Sequence, residues 1–142
     1  MRRAVTIALF ALLAAGCGDP AGRIFRTTVA GPDGSYAQEV VLGDQTGLVV
    51  GLEPGEIGAN DAFDPPSVSS DPADPNTLVF RWSNGACDHP AISLVRSGDR
   101  YRISVNPRPS LGACMAILLF RAVRIRFSEA VAPAEVEVPT TR

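Results

Sequence analysis

Large apolar residues recur at every second position in run after run of the C-terminal half of the chain. Leu78, Phe80 and Trp82 fall on one parity and Arg81 on the other. Ile92 and Leu94 keep the same spacing within Ala91 to Arg96. Tyr101, Ile103 and Val105 alternate with Arg100, Arg102 and Ser104, and Val123, Ile125 and Phe127 alternate with Arg124 and Arg126. Val136 and Val138 repeat the pattern once more. Successive side chains of an extended strand point to opposite faces, so this period builds strands with one buried side and one wet side. Such one-sided burial belongs to antiparallel sheets. Ser97-Gly98-Asp99 reads as a compact hairpin turn between two of these strands. No segment carries an apolar stripe at helical spacing. Roughly seven short strands with frequent turns predict an all-β fold, an antiparallel, immunoglobulin-like β-sandwich.

The rest of the chain is less regular. Gln38 to Leu42 and Gly47 to Leu52 are β-like runs, and Gly43 to Thr46 between them suggests a hairpin. Residues 53–76 hold five prolines and four aspartates, with a short edge strand expected near Ser67 to Ser70. Structureless loops longer than about 12–15 residues are uncommon inside compact domains, so this stretch reads as a functional loop, a wrapping edge or a linker. Met115 to Phe120 is apolar on both parities. It is expected either as a strand covered on both faces or as a bulge that shifts parity before Arg121.

The N-terminus has a different logic. Arg2 and Arg3 precede an uncharged apolar run, Ala4 to Ala15, which is too short to span a bilayer as a helix. Leu13-Ala14-Ala15-Gly16-Cys17 follows, with small residues immediately before a cysteine. The segment resembles a bacterial lipobox, although Ala14 stands where leucine is usual and Leu13 lies one place earlier. That resemblance implies a lipoprotein signal peptide over 1–16 and diacylglyceryl lipidation of Cys17 after cleavage. Two or more acyl chains anchor stably, whereas one does not. The Gly- and Pro-rich stretch 17–36 reads as a tether, with Arg23 to Val29 inside it a weak candidate for a short strand, which leaves 37–142 as the sandwich domain. Gly18 rather than Asp after Cys17 implies the outer membrane in a Gram-negative host. In a Gram-positive host the chain would be lipid-anchored to the cell membrane, and the residues leave both hosts open.

Loss of Arg2 and Arg3 leaves eleven arginines against fifteen acids, and the chain contains no lysine. A mildly acidic surface argues against nucleic acid as a partner, since phosphate backbones need a basic face. Cys17 aside, the remaining cysteines are Cys87 and Cys114. An even pair outside the cytoplasm is most simply a disulfide.

From about residue 40 onward the residues resemble a group of small bacterial lipoproteins of actinobacterial type. The shared features are Asp44-Gln45-Thr46-Gly47-Leu48-Val49-Val50, Val79 to His89 with Trp82 and Cys87, and Cys114 through Phe127. The resemblance covers about residues 40–138. It implies a disulfide-bridged C-terminal β-domain and carries no activity with it.

Candidate chemistry is thin. His89 is the one histidine, and a hydrolase triad would need it with Ser83 or Ser93 and Asp88 or Asp99. No Gly-x-Ser-x-Gly elbow accompanies them, so an exposed turn histidine is the better reading. Asp61, Asp64, Asp71 and Asp74 lack the spacing of a calcium loop. Glu53 with Glu56, and Glu135 with Glu137 on one strand face, are the carboxylate pairs a glycosidase would need, but a small β-domain with a single tryptophan has little surface for stacking sugars, and that reading is rejected. Trp82 is expected to pack on the Cys87–Cys114 bridge. Arg81, Arg100, Arg102, Arg124 and Arg126 are candidates to line one sheet surface. No metal and no cofactor are expected. The resulting expectation is a non-enzymatic structural or interaction module at the cell envelope, tied to membrane lipid through acylated Cys17, with an envelope protein or peptide as partner. The alternative is a small-ligand or peptide binder, or inhibitor, using loops 53–76, 84–90 and 106–113 as its contact edge.

Overall fold

The computed structural model describes residues 22–57, 66–106, 108, 112 and 117–140. Nine strands form two sheets: β1 (Arg23–Val29), β2 (Gln38–Asp44), β3 (Val49–Pro54), β4 (Ser67–Asp71), β5 (Asp74–Gly85), β6 (Ala91–Ser97), β7 (Arg100–Asn106), β8 (Leu118–Phe127) and β9 (Val136–Glu137). One sheet runs β1-β2-β6-β7-β9 and the other β3-β8-β5-β4. Their inner faces share one core. Val40, Leu42, Ile92, Leu94 and Ile103 come from the first sheet, and Phe80, Trp82, Val123, Ile125 and Phe127 from the second. These are the residues that the period-two pattern places on buried faces. The expected edge strand near Ser67 exists as β4.

The sandwich is not purely antiparallel. In the β3-β8-β5-β4 sheet every pair is antiparallel. In the other sheet β2 pairs parallel with β6, and β7 parallel with β9. Parallel neighbours need a long crossover between them. Here the chain supplies it by leaving for the second sheet after β2 and again for β8, then returning in the same direction. Alternation along a strand reveals its buried face and says nothing about its neighbour's direction.

Three further expectations change. The tether assigned to 17–36 contains β1, which pairs with β2 along its whole length from Arg23↔Asp44 to Val29↔Gln38. The sandwich therefore begins at Arg23 rather than at residue 37. Gln38 to Leu42 and Gly47 to Leu52 do not form a hairpin, because β2 and β3 belong to different sheets. Asp44 makes that turn. Its buried carboxylate accepts from the backbone N–H of Thr46 (2.8 Å), the Thr46 hydroxyl (2.6 Å) and the backbone N–H of Val49 (3.1 Å). Those bonds fold the chain from one layer into the other. Third, the β5–β8 register runs without a break from Thr77↔Arg126 to Gly85↔Leu118. No bulge shifts parity between Leu118 and Arg121, so Arg121 falls on the same inward face as Val123, Ile125 and Phe127. Leu118, expected to be covered, is 49% exposed.

Candidate functional site

Three strands bring an inward-facing polar side chain to the same end of the sandwich. Gln38 opens the inward row of β2, Asn84 closes that of β5, and Arg121 stands near the start of β8 on its inward row; all three are buried. A buried polar group is costly unless it is hydrogen-bonded. The three satisfy one another. The Gln38 Oε1 accepts from Asn84 Nδ2 (3.1 Å) and from Arg121 Nε (3.0 Å). Its Nε2 donates to the carbonyls of Gly85 (3.3 Å), Ala86 (2.9 Å) and Asp88 (3.0 Å). Asn84 Oδ1 accepts from Trp82 Nε1 at 3.0 Å, which ties the network to the aromatic core. Trp82 itself stacks on Phe80, with ring centroids 5.4 Å apart.

Arg121 is the unusual member. It is 2% exposed, and among the described residues no carboxylate lies within ion-pair distance of it. Its hydrogen bonds go to neutral acceptors, the Gln38 amide oxygen and the Tyr36 carbonyl. Its third nitrogen, Nη1, has no acceptor among the described residues. Burial disfavours the charged form and pushes the Arg121 guanidinium below its ordinary pKa. Guanidinium nonetheless keeps its proton in proteins. Tyr36, which supplies one acceptor, takes a left-handed backbone at φ 52°. That conformation costs a residue with a side chain about 1–2 kcal/mol, and the bond from Arg121 helps to hold it.

Arg121 lines a cleft of about 690 Å³. One wall is the β1–β2 turn with Gly31, Pro32 and Tyr36; the other is Gly55 to Ile57 after β3, and the floor is Leu118 to Phe120. The β1–β2 turn is held by Gly31 N–H to the Ser35 carbonyl (2.8 Å) and Gly34 N–H to the Gly31 carbonyl (2.9 Å). Gly55 donates to the Ala122 carbonyl at 2.9 Å, and a Cβ there would come within 2.8 Å of the Ala122 side chain. Glycine is required for that close approach of β3's end to β8.

Loops expected as a contact edge meet at this pole in part. The turn after β5 lies here, through Ala86 N–H to the Ile117 carbonyl (2.9 Å), and His89 N–H donates to the Arg108 carbonyl (2.9 Å). Among the described residues of the stretch 53–76, Gly55 to Ile57 line the cleft, and the Asp71 to Asp74 turn lies at the far end of β5. Residues 58–65 and most of 107–116 lie outside the described residues.

No family model matches this chain, and no curated protein or solved structure matches it.

The residues singled out from sequence are placed as follows. Cys17 and Cys114 lie outside the described residues. Cys87 is half-buried in the turn after β5 and is not a free thiol. His89 is exposed in that turn. Asp61 and Asp64 lie outside the described residues, and no group of metal-ligating side chains occurs among those described. Glu135 and Glu137 do not share a strand face, since Pro133–Glu135 is a 3-10 turn and Glu137 lies in β9. Glu53 sits 3.3 Å from Arg124 Nη1, while Glu56 is exposed at the cleft. The arginine row is divided between two opposite surfaces. Arg100 and Arg102 belong to β7 of one sheet, and Arg81, Arg124 and Arg126 to β5 and β8 of the other. Arg102 faces Glu137 at 3.3 Å, and Arg81 Nη1 donates to the Ser69 hydroxyl at 2.7 Å.

Gln38, Asn84 and Arg121 were not among those candidates. The signal was present: each sits on the parity of its strand's core residues. A polar residue in an inward row is the informative exception to alternation.

Asp71 carries a local prediction. Its carboxylate is held below the usual aspartate range, first by the backbone N–H of Ala73 and then by the hydrogen bond from Arg124. A depressed carboxylate contributes stability above its unfolded pKa of about 3.9 and loses it as pH falls through the lower folded value. A carbon-detected NMR titration should give Asp71 a midpoint below that of an unperturbed aspartate. Arg124→Gln should return it only part of the way, because the Ala73 N–H remains. A wild-type midpoint at or above the ordinary value would contradict this account.

Proposed function

We propose that this chain is an exported, lipid-anchored β-sandwich that acts as a non-enzymatic binding module at the cell envelope, akin to the actinobacterial-type lipoproteins it resembles. The carrying observation is the spacing of two features along one chain. A lipobox-like Cys17 is followed, after only five intervening residues, by β1 at Arg23. Five residues reach at most about 20 Å, so the tether is far shorter than the one expected from composition. Arg23 lies at the end of β1 opposite Ala30, and Ala30 lines the cleft. A strand of this length spans about 20 Å. The anchor would thus hold the sandwich close to the lipid with the cleft at the distal pole, open to envelope partners.

The same proposal pairs Cys87 with Cys114, which would staple the turn after β5 to the segment before β8. The short backbone link from Ala86 to Ile117 supports that pairing, since it already holds the two segments side by side. The two-layer frame with Trp82 in its core supports an immunoglobulin-like use, in which a rigid sandwich presents binding loops at one end. Small-ligand binding is favoured over a purely structural role by the cleft and by the convergence of loops around it.

The expected result is membrane association of the wild-type protein and release of Cys17→Ser into the soluble fraction. Mass spectrometry of protein purified from membranes should find Cys17 acylated at a new N-terminus and a peptide pair joining Cys87 to Cys114. Unchanged membrane association of Cys17→Ser would remove the anchor from the proposal. Two alkylatable thiols at Cys87 and Cys114 would remove the staple.

A further inference from the structure

We infer that the cleft at the distal pole binds a small carboxylate with an apolar body, its carboxylate bonding Arg121 Nη1. The inference rests on reading the domain as a binding module and names the ligand class of that site.

Among the described residues no counter-charge reaches the Arg121 guanidinium. Arg121 is 2% exposed, keeps its charge, and has only neutral oxygens on its Nε and Nη2. A buried cation without an anion is an unfavourable arrangement, and an anion that also accepts a hydrogen bond completes it. The open donor, Nη1, belongs to a side chain that lines the cleft. Gln38 fixes the guanidinium from behind, so the donor is positioned before any ligand arrives. Preorganisation of this kind lowers the cost of binding.

The walls select the rest of the ligand. Tyr36 is 50% exposed and Leu118 49% exposed, and both line the cleft. Leu119, Phe120 and Ile57 add half-buried apolar surface. Apolar walls with one placed charge are the usual composition of a small-molecule site, and 690 Å³ lies within the usual range of about 300–1,000 Å³. Phosphate or sulfate would ask for several donors, and the described lining of the cleft offers one cation, Arg121. Glu56, exposed on the rim, adds repulsion against a dianion. A monoanion on a hydrophobic frame fits both conditions.

The test uses the full-length chain carrying Cys17→Ser, titrated with 3-phenylpropionate and with its neutral amide, and read by amide NMR shifts. The carboxylate should shift Tyr36, Ile57 and Leu118 to Arg121 saturably, and bind at least about tenfold more tightly than the amide, as expected for one charge-assisted hydrogen bond. Arg121→Gln should bring the two ligands to about equal affinity. Because Arg121 is buried, Leu118→Asp provides an exposed second variant, with an unchanged melting temperature and at least about tenfold weaker carboxylate binding. Equal affinity for acid and amide in the wild type, no saturable shifts at this pole, or wild-type binding by Leu118→Asp would each overturn the inference. The assay needs no lipid, so its failure leaves the anchor standing, and a failed anchor leaves the binding result standing.

Discussion

Gln38→Ala is expected to lower the free energy of unfolding by about 4 kcal/mol, seen as an earlier midpoint in urea with an unchanged slope. The side chain accepts two hydrogen bonds, and its two N–H groups are shared among three carbonyls. Removing it orphans Arg121 Nε, which is charged, and one donor link from Asn84. It also strips a shared donor from three carbonyls. Each buried group left without a partner costs about 1–3 kcal/mol, more when charged. Water entering from the cleft would recover part of this, which keeps the expectation below the full sum. Glu39→Ala, one residue away but exposed, should change stability by less than about 0.5 kcal/mol. A double-mutant cycle of Gln38→Leu with Arg121→Met should show coupling of about 1–3 kcal/mol, because each change removes the other's partner. A loss below about 1 kcal/mol for Gln38→Ala would mean that the network does not hold this end of the sandwich together.

Phe80→Ala should cost about 3–5 kcal/mol. Phe80 is fully buried at the centre of β5 and stacks on Trp82 at an interplanar angle of 19°. Both of its cross-strand neighbours, Val68 in β4 and Val123 in β8, are fixed in register by the ladders on either side. The walls of the resulting cavity therefore cannot close by sliding, and the loss should fall at the high end of that range. Thermal or urea unfolding measures it directly. Arg102→Ala offers the contrast. Its ion pair with Glu137 at 3.3 Å is about half exposed on both sides, and such pairs contribute roughly 0–1 kcal/mol.

These two positions differ in how openly the sequence declares them. Phe80 is legible at once, because Leu78, Phe80 and Trp82 share one parity, flanked by Thr77, Arg81 and Ser83 on the other with Val79 as its one apolar member. Arg121 was legible only in part. Its parity matches Val123, Ile125 and Phe127, but the doubly apolar run before it allowed a bulge that would have turned it outward. Only the unbroken pairing of β8 with β5 places the guanidinium in the core. The β1 strand was legible only as a weak candidate, for a different reason. Arg23 to Val29 alternates weakly and lies between Gly- and Pro-rich stretches, so local composition resembles a tether. Its strand character comes from β2, whose edge it covers along seven residues. The arginine row failed similarly: alternation puts every one of those residues on a wet face, yet cannot say that there are two wet faces on opposite layers.

The chain by itself therefore determined the class of the fold. Period-two alternation is a local property, written into each strand before any strand meets another, and it requires sheets with one buried side. It also determined which residues fill the core. Strand order, the two parallel pairings and the separation of β2 from β3 were decided only in the folded molecule. They depend on contacts between segments far apart in sequence, for which alternation carries no address. The cleft belongs to that second group. Gln38, Asn84 and Arg121 come together only because three strands from two sheets end at one pole, and a buried cation with an open donor exists only once they do.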